Sequence, residues 1–270
     1  MVKIAASSDN HLDINRVDVD QVIQAQVQVL TELHIDYYLI VGDVSNRFNR
    51  TLNYVDKLKA ALPATQVYFI AGNHDMSHDI SESELETLQH PNYLHNQYVD
   101  LVDTDWRVIG LNGWYDYGFA PALSEKEAAD FHFGRFYDRS IDQTESDPQR
   151  FQRAYEQLKQ QLMAGYQAHK QMLVMTHFVP ISDDLLPNTT KPRELVNAML
   201  GSPRTGALLE QVPGVRHVVF GHAHVAAPMR QHGLVQYDNV SLGVQRRNDW
   251  PDATFIPSWE KRLKIFELNA

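Results

Sequence analysis

Cysteine is absent from all 270 residues of this chain, which excludes disulfides, thiolate nucleophiles, iron–sulfur clusters and cysteine-bound zinc. Any metal site must therefore use nitrogen and oxygen donors. No apolar run reaches the length of about 18 residues that a membrane helix needs. The most apolar windows, Tyr37 to Val41 and Met172 to Met175, are strand-sized. The run from Met1 to Asp9 carries one basic residue and is too short for a secretory signal. With no disulfide framework either, the expected location is the cytoplasm. Basic residues are scarce as well: 24 Lys and Arg against 34 Asp and Glu leave a formal net charge of −10. Such a surface offers no extended face to a nucleic acid and none to an anionic membrane. Repeats, low-complexity tracts and Gly/Ser linkers are missing too, so a single domain over residues 1–270 is expected.

What the chain does have is histidine, 13 in all, and a recurring placement for some of them. Short β-branched runs at Lys3 to Ser8, Tyr37 to Val41, Gln66 to Ala71, Met172 to Thr176 and His217 to Phe220 read as buried strands. Apolar stripes over Val17 to Leu33 and Thr51 to Leu62 predict helices between the first three, a β-α-β-α-β order and an α/β fold. Asp147 and Pro148 read as the N-cap and first residue of another helix. Leu234 to Leu242 and Arg262 to Leu268 predict an antiparallel addition, separated by a loop rich in Trp, Pro, Asp and Asn. Residues 101–146 open on a strand or hairpin and then lose periodicity; they are expected to form an insertion that shapes a site.

Each of the five runs ends in polar residues: Asp9-Asn10-His11, Gly42-Asp43, Gly72-Asn73-His74-Asp75, Thr176-His177 and Gly221-His222-Ala223-His224. In a largely parallel sheet these ends share one edge, the edge where open α/β folds bind ligands. Residues two apart in an extended segment project the same way, so Asp9 with His11, and His222 with His224, are expected to reach a common site. Two Asp, one Asn and four His are too many donors for one tetrahedral ion and suit two ions sharing a carboxylate.

The ordered set D-x-H, GD, GNHD, H and GHxH resembles the calcineurin-like metallophosphoesterase superfamily. The resemblance implies a four-layer α/β/β/α sandwich of two mixed β-sheets flanked by helices. It places one metal on Asp9, His11, Asp43 and His224, and a second on Asp43, Asn73, His177 and His222, with Asp43 as the bridge. The ions it implies are two divalent or trivalent metals, Mn, Fe, Zn or Ni, and its chemistry is in-line attack at phosphorus by a metal-bridging hydroxide. It also makes His74 the group that protonates the leaving oxygen or steadies charge on phosphorus, with Asp75 as the orienting partner of His74.

The sequence from Gly42 to Phe48 departs from the protein Ser/Thr phosphatase branch at Asn46 and Phe48, and Asp75 stands where that branch has Glu. The expected activity is therefore a phosphodiesterase on a small substrate, followed by a phosphomonoesterase or nucleotide pyrophosphohydrolase. From another class, the alternative is a catalytically silent metal-binding interaction module. Arg47 and His78 are candidate substrate contacts from loops beside the site, Arg47 being equally readable as a helix cap. Tyr115, within Trp114-Tyr115-Asp116-Tyr117, reads first as packing and second as a wall that stacks a planar group. Gly201 to Gly206 resembles a P-loop opening, but Ala207 stands where its Lys belongs.

Overall fold

The computed structural model describes residues 1–250 and 254–269. In chain order the strands are β1 (Val2–Ser7), β2 (Tyr37–Val41), β3 (Gln66–Ile70), β4 (Gln97–Asp100), β5 (Trp106–Leu111), β6 (Gln171–Thr176), β7 (Val215–Phe220), β8 (Arg230–His232), β9 (Val235–Asn239) and β10 (Lys264–Leu268). The helices are α1 (Val19–Glu32), α2 (Phe48–Ala61), α3 (Glu82–Thr87), α4 (Glu125–Arg135), α5 (Asp147–Gln167), α6 (Lys191–Ala198), α7 (Pro203–Gln211) and α8 (Phe255–Arg262). Among the described residues no helix is long and apolar enough to cross a membrane.

Two mixed sheets result, one ordered β10-β1-β2-β3 and the other β4-β5-β6-β7-β9-β8. Their side chains alternate as strand geometry requires. Ile4, Ala6, Leu39, Val41, Leu173, Met175 and Val219 fill the space between the sheets. Their neighbours Ala5, Tyr38 and Ile40 face outward into a core closed by α1, α2 and α8, while Val174, Val218 and Phe220 face α5 and α7. Both faces of each inner strand are thus covered, which is why the runs contain so few polar residues. The layers are helix, sheet, sheet, helix.

Three readings need correction. β10 does pair antiparallel with β1, but β9 runs parallel to β7, because the hairpin at Gly233 reverses the chain after β8. The N-cap of α5 is Ser146, whose side chain and backbone N–H both reach Gln149. Asp147 is instead buried, accepting from Trp114 Nε1 at 2.8 Å and bonded to His132 and Tyr117. Finally, β5 is an inner strand between β4 and β6, so the stretch lying outside the sheets is 112–146 rather than 101–146. The loop after β9 holds a 3₁₀ turn at Gln245–Arg247 and runs into α8; its residues 251–253 lie outside the described residues.

Candidate metal centre

The ends of β1, β2, β3, β6 and β7 meet at one edge where the two sheets face each other. Backbone ladders continue past the strands and lock the loops: Asp9 N donates to Gly42 O at 3.0 Å, His11 N to Asp43 O at 2.9 Å and Gly221 N to His177 O at 3.0 Å. The side chains do not converge through extended pleating as the spacing predicts. Asp9, His11, Asp43, His222 and His224 all have φ between 43° and 69°. Each such left-handed residue costs roughly 1–2 kcal/mol relative to ordinary backbone, and clusters of them mark sites where the surroundings dictate the conformation. Gly72 and Gly221 serve close approach rather than unusual φ. A Cβ at 221 would overlap Ser8 Oγ and Asp9 Oδ2, and one at 72 would overlap Asp43 Oδ1.

Seven side chains are brought together in two groups that share Asp43. Asp9, His11, Asp43 and His224 place ligand atoms within 4.8 Å of one another, as do Asp43, His177 and His222. In the first, His224 Nε2 lies 3.0 Å from both Asp9 Oδ1 and His11 Nε2. In the second, His177 Nε2 lies 3.1 Å from Asn73 Oδ1 and 3.4 Å from Asp43 Oδ2. Asp43 Oδ1 accepts from His74 N at 2.8 Å. Its Oδ2 is buried without a hydrogen-bond partner, 3.7 Å from His11 Nε2 on one side and with His177 on the other. A free carboxylate oxygen between converging imidazole nitrogens suits cations better than it suits neutral packing. The donor set, all nitrogen and oxygen, therefore fits a pair of metal ions.

Second partners fix which nitrogen each imidazole presents. His177 Nδ1 is 2.9 Å from Val41 O, and His224 Nδ1 is 2.9 Å from Asp249 Oδ2, which leaves both Nε2 atoms for the group. His222 Nε2 is instead 3.2 Å from Met199 O, which leaves Nδ1. Asn73 Nδ2 donates to Asp138 Oδ1 at 2.6 Å, turning the amide oxygen inward.

Charge is unbalanced across these residues. Burial works against a charged His224, but Asp9 and Asp249 outweigh it and push it up to about 10. Burial likewise opposes a charged His177, and Asp43 raises it to about 9. Burial and His177 take His222 down to about 3. Burial also opposes ionisation of Asp43, yet His177 and His74 hold its carboxyl well below the usual range. The imidazoles raised in this way face the same oxygens that a cation would share, so metal binding at these donors competes with protons.

The sequence profile of the calcineurin-like phosphoesterases matches residues 2–226. The chain belongs to this family. No curated protein matches its sequence. Among solved structures, phosphopantetheinyl hydrolase from Mycobacterium tuberculosis superposes with a TM-score of 0.67 at 16% identity, over 98% of this chain and 95% of that one. A dimetal phosphatase from Danio rerio superposes at 0.52 and 13% identity, over 87% and 86%. At such identities the likeness shows the fold.

In this calcineurin-like chain His74 stands beside the group. Its Nδ1 is 2.6 Å from Asn46 Oδ1, and its ring stacks on Tyr137 with centroids 4.0 Å apart. Asp75 does not orient it. The Asp75 carboxylate accepts from the backbone N–H groups of Asp43, Val44, Ser45 and Gly72 and from Thr51 Oγ1, at 2.6–3.2 Å. It is the clasp of two ligand loops, although burial and Asp43 push it up to about 7.

None of the three candidate substrate contacts lines the cavity that opens at the donor groups. Arg47 is the N-cap residue of α2 and pairs with Asp79 at 2.9 Å. His78 ends the 3₁₀ turn Asp75–Ser77 and is exposed, its carbonyl accepting from Phe48 N. Tyr115 is fully buried, stacked on Trp114, with its hydroxyl 3.1 Å from Asp138 Oδ2. Packing and the Asp138 network claim it, so it is a support and not a wall.

Asn46, Tyr137, Asp138 and Asp249 are the residues that sequence reasoning missed. No spacing marks them; Asn46 stands out in the sequence only as a departure from the protein phosphatase pattern, and Tyr137 and Asp138 only as members of the stretch expected to shape a site. The role of Asp138 is testable. Asp138→Ala should weaken metal binding by roughly 10–100-fold, the usual cost of losing a ligand's supporting partner. Asp138→Asn, which keeps an oxygen for Asn73 Nδ2, should recover most of it. Calorimetric titration of the metal-stripped protein with Mn²⁺ measures both, and unchanged affinity in the Ala variant would show that Asn73 needs no support.

Proposed function

We propose that this chain is a phosphodiesterase that hydrolyses a small phosphoester substrate at a centre of two metal ions. The reading is carried by the two donor groups sharing Asp43, whose Oδ2 lacks any other partner. One ion would be held by Asp9, His11, Asp43 and His224, the other by Asp43, Asn73, His177 and His222. When bound, the ions supply Lewis-acid polarisation of a phosphoryl group and a water acidic enough to ionise near neutral pH. Mn, Fe, Zn and Ni all suit this donor set, and availability decides among them.

The chain's own residues do the rest. Asp249, Val41 O and Met199 O hold three imidazoles in place, and Asp138 holds the amide of Asn73. Asn46 Oδ1 accepts the Nδ1 proton of His74, so Nε2 is the atom that exchanges a proton at the leaving oxygen. Burial lowers the pKa of that imidazole; an arriving phosphate anion acts in the opposite direction. His74 lines a cavity of about 510 Å³ with Asp43, Asn73, His222 and His224, larger than a phosphoryl group needs. The spare room accommodates two substituents on phosphorus, as a small diester requires. The structural likeness to a phosphopantetheinyl hydrolase and a dimetal phosphatase supports hydrolysis of phosphoesters.

Protein purified without chelator should carry about two metals per chain and turn over bis-p-nitrophenyl phosphate faster than p-nitrophenyl phosphate in Mn²⁺. Faster monoester turnover would move the reading to a phosphomonoesterase. Protein that binds no metal and turns over neither ester would overturn it in favour of a silent module.

A further inference from the structure

Beside the donor groups, two unlike sets of residues line the cavity. Phe136 and Tyr137, from the stretch before α5, form one. The other is built by Leu186, Val196 and Leu200, around α6, with Arg193 on the same helix. Leu186 is 51% exposed, so its apolar surface is open to solvent beside a charged centre. Single exposed leucines are ordinary, but this one joins Val196 and Leu200 in an apolar strip of the cavity that the donor groups also line.

Arg193 is in the first turn of α6, whose N-cap is Thr190. A cation there opposes the helix dipole, which favours negative charge at that end. Lys191 in the same turn is neutralised by Glu127 at 2.8 Å. Arg193, by contrast, makes no ion pair among the described residues. The other arginine of the cavity, Arg247, has the Asp249 carboxylate within electrostatic reach, although burial and His224 act on that carboxylate more strongly. In a chain of net charge −10, an uncompensated guanidinium opening on the same cavity as the donor groups is suited to an anion from outside.

We propose that the strip from Leu186 to Arg193 is a subsite for the non-leaving arm of the diester, and that this arm is an apolar chain bearing a second negative charge. The inference rests on the phosphodiesterase reading and deepens it. The phosphoryl group sits at the donor groups, the apolar arm lies along Leu200, Val196 and Leu186, and Arg193 holds the distal anion. Carboxylate and phosphate both satisfy a guanidinium fork, so the chemistry specified is an anion at the end of an apolar spacer.

Three p-nitrophenyl phosphodiesters test this: the methyl, hexyl and carboxyhexyl esters. In each, water adds to phosphorus, the bond to nitrophenolate breaks, a proton is released and the arm stays as its monoester. With Mn²⁺-loaded protein, kcat/KM should rise from methyl to hexyl, and again by roughly tenfold from hexyl to carboxyhexyl. In Arg193→Gln the ratio of carboxyhexyl to hexyl should fall to about one, with Arg193→Lys restoring part of it. Lys57→Gln, on the exposed face of α2, should keep the wild-type ratio. Equal turnover of all three esters, or a carboxylate preference that survives Arg193→Gln, would overturn the subsite and leave the phosphodiesterase standing. Turnover of none would overturn the phosphodiesterase reading and the subsite with it.

Discussion

Asp43→Asn should lower phosphodiester turnover by roughly 10⁴-fold or more while leaving the fold intact. The magnitude follows from position. Loss of one preorganised electrostatic group in an active site typically costs 10²–10³-fold, and Asp43 belongs to both donor groups. Asparagine keeps an oxygen for His74 N, which Asp43 Oδ1 now accepts at 2.8 Å, and it tolerates the left-handed backbone of φ 59°. It offers no negative charge to a second ion. Metal analysis should therefore fall from about two per chain toward one or none, with a melting temperature near that of the wild type measured without metal. Asp43→Ala should lose the same activity and melt lower, since alanine neither accepts from His74 N nor favours that φ. An Asn variant that retains two metals and full rate would remove Asp43 from the centre.

His74→Ala should retain its metals but lose rate, and the loss should depend on the leaving group. A proton donor contributes about 10²–10⁴-fold when the departing alkoxide is strongly basic. Nitrophenolate scarcely needs a proton, so the loss with nitrophenyl esters should be much smaller. Equal losses on both would mean that His74 stabilises charge on phosphorus instead. Asn46→Ala separates position from chemistry: it removes the Nδ1 acceptor and frees the ring to choose the other tautomer. Its pH–rate profile should shift while nitrophenyl turnover stays near that of wild type.

The strands that carry the centre were legible because each is covered on both faces. Tyr37–Val41 matches its apolar run, and the other four end within a residue or two of theirs. The polar residues after them were legible for the same reason, since they break abruptly from apolar runs. Other features arise only from tertiary placement. Asp75 follows His74 in the chain, yet its carboxylate is captured by three backbone N–H groups of the Asp43–Ser45 loop and by that of Gly72 in its own loop. Adjacency in sequence says nothing about which way a side chain turns in a 3₁₀ step. Tyr115 reads first as packing and Arg47 equally as a substrate contact or a helix cap; which reading holds depends on buried Asp138 and exposed Asp79, which bond them in the folded chain. Asp138 and Asp249 come from irregular segments where no period identifies a face. The direction of β9 depended on one short hairpin that only the assembled sheet reveals.

The antiparallel pairing of β10 with β1, from Val2↔Leu268 to Ala6↔Lys264, has a consequence for the order in which the molecule is made. The strand that presents Asp9 and His11 is flanked on one side by β2 and on the other by a segment synthesised at the far end of the chain. Asp9 also meets His224 across a separation of 215 residues. Contacts of such range close slowly, because the intervening loop entropy must be lost before they form. A ribosome-bound chain ending before residue 222 has Asp9, Asp43 and Asn73 but lacks the imidazoles that complete both groups. The proposed centre would therefore capture metal late in synthesis, and a product truncated before residue 222 should be metal-free, however much of its first sheet has already folded.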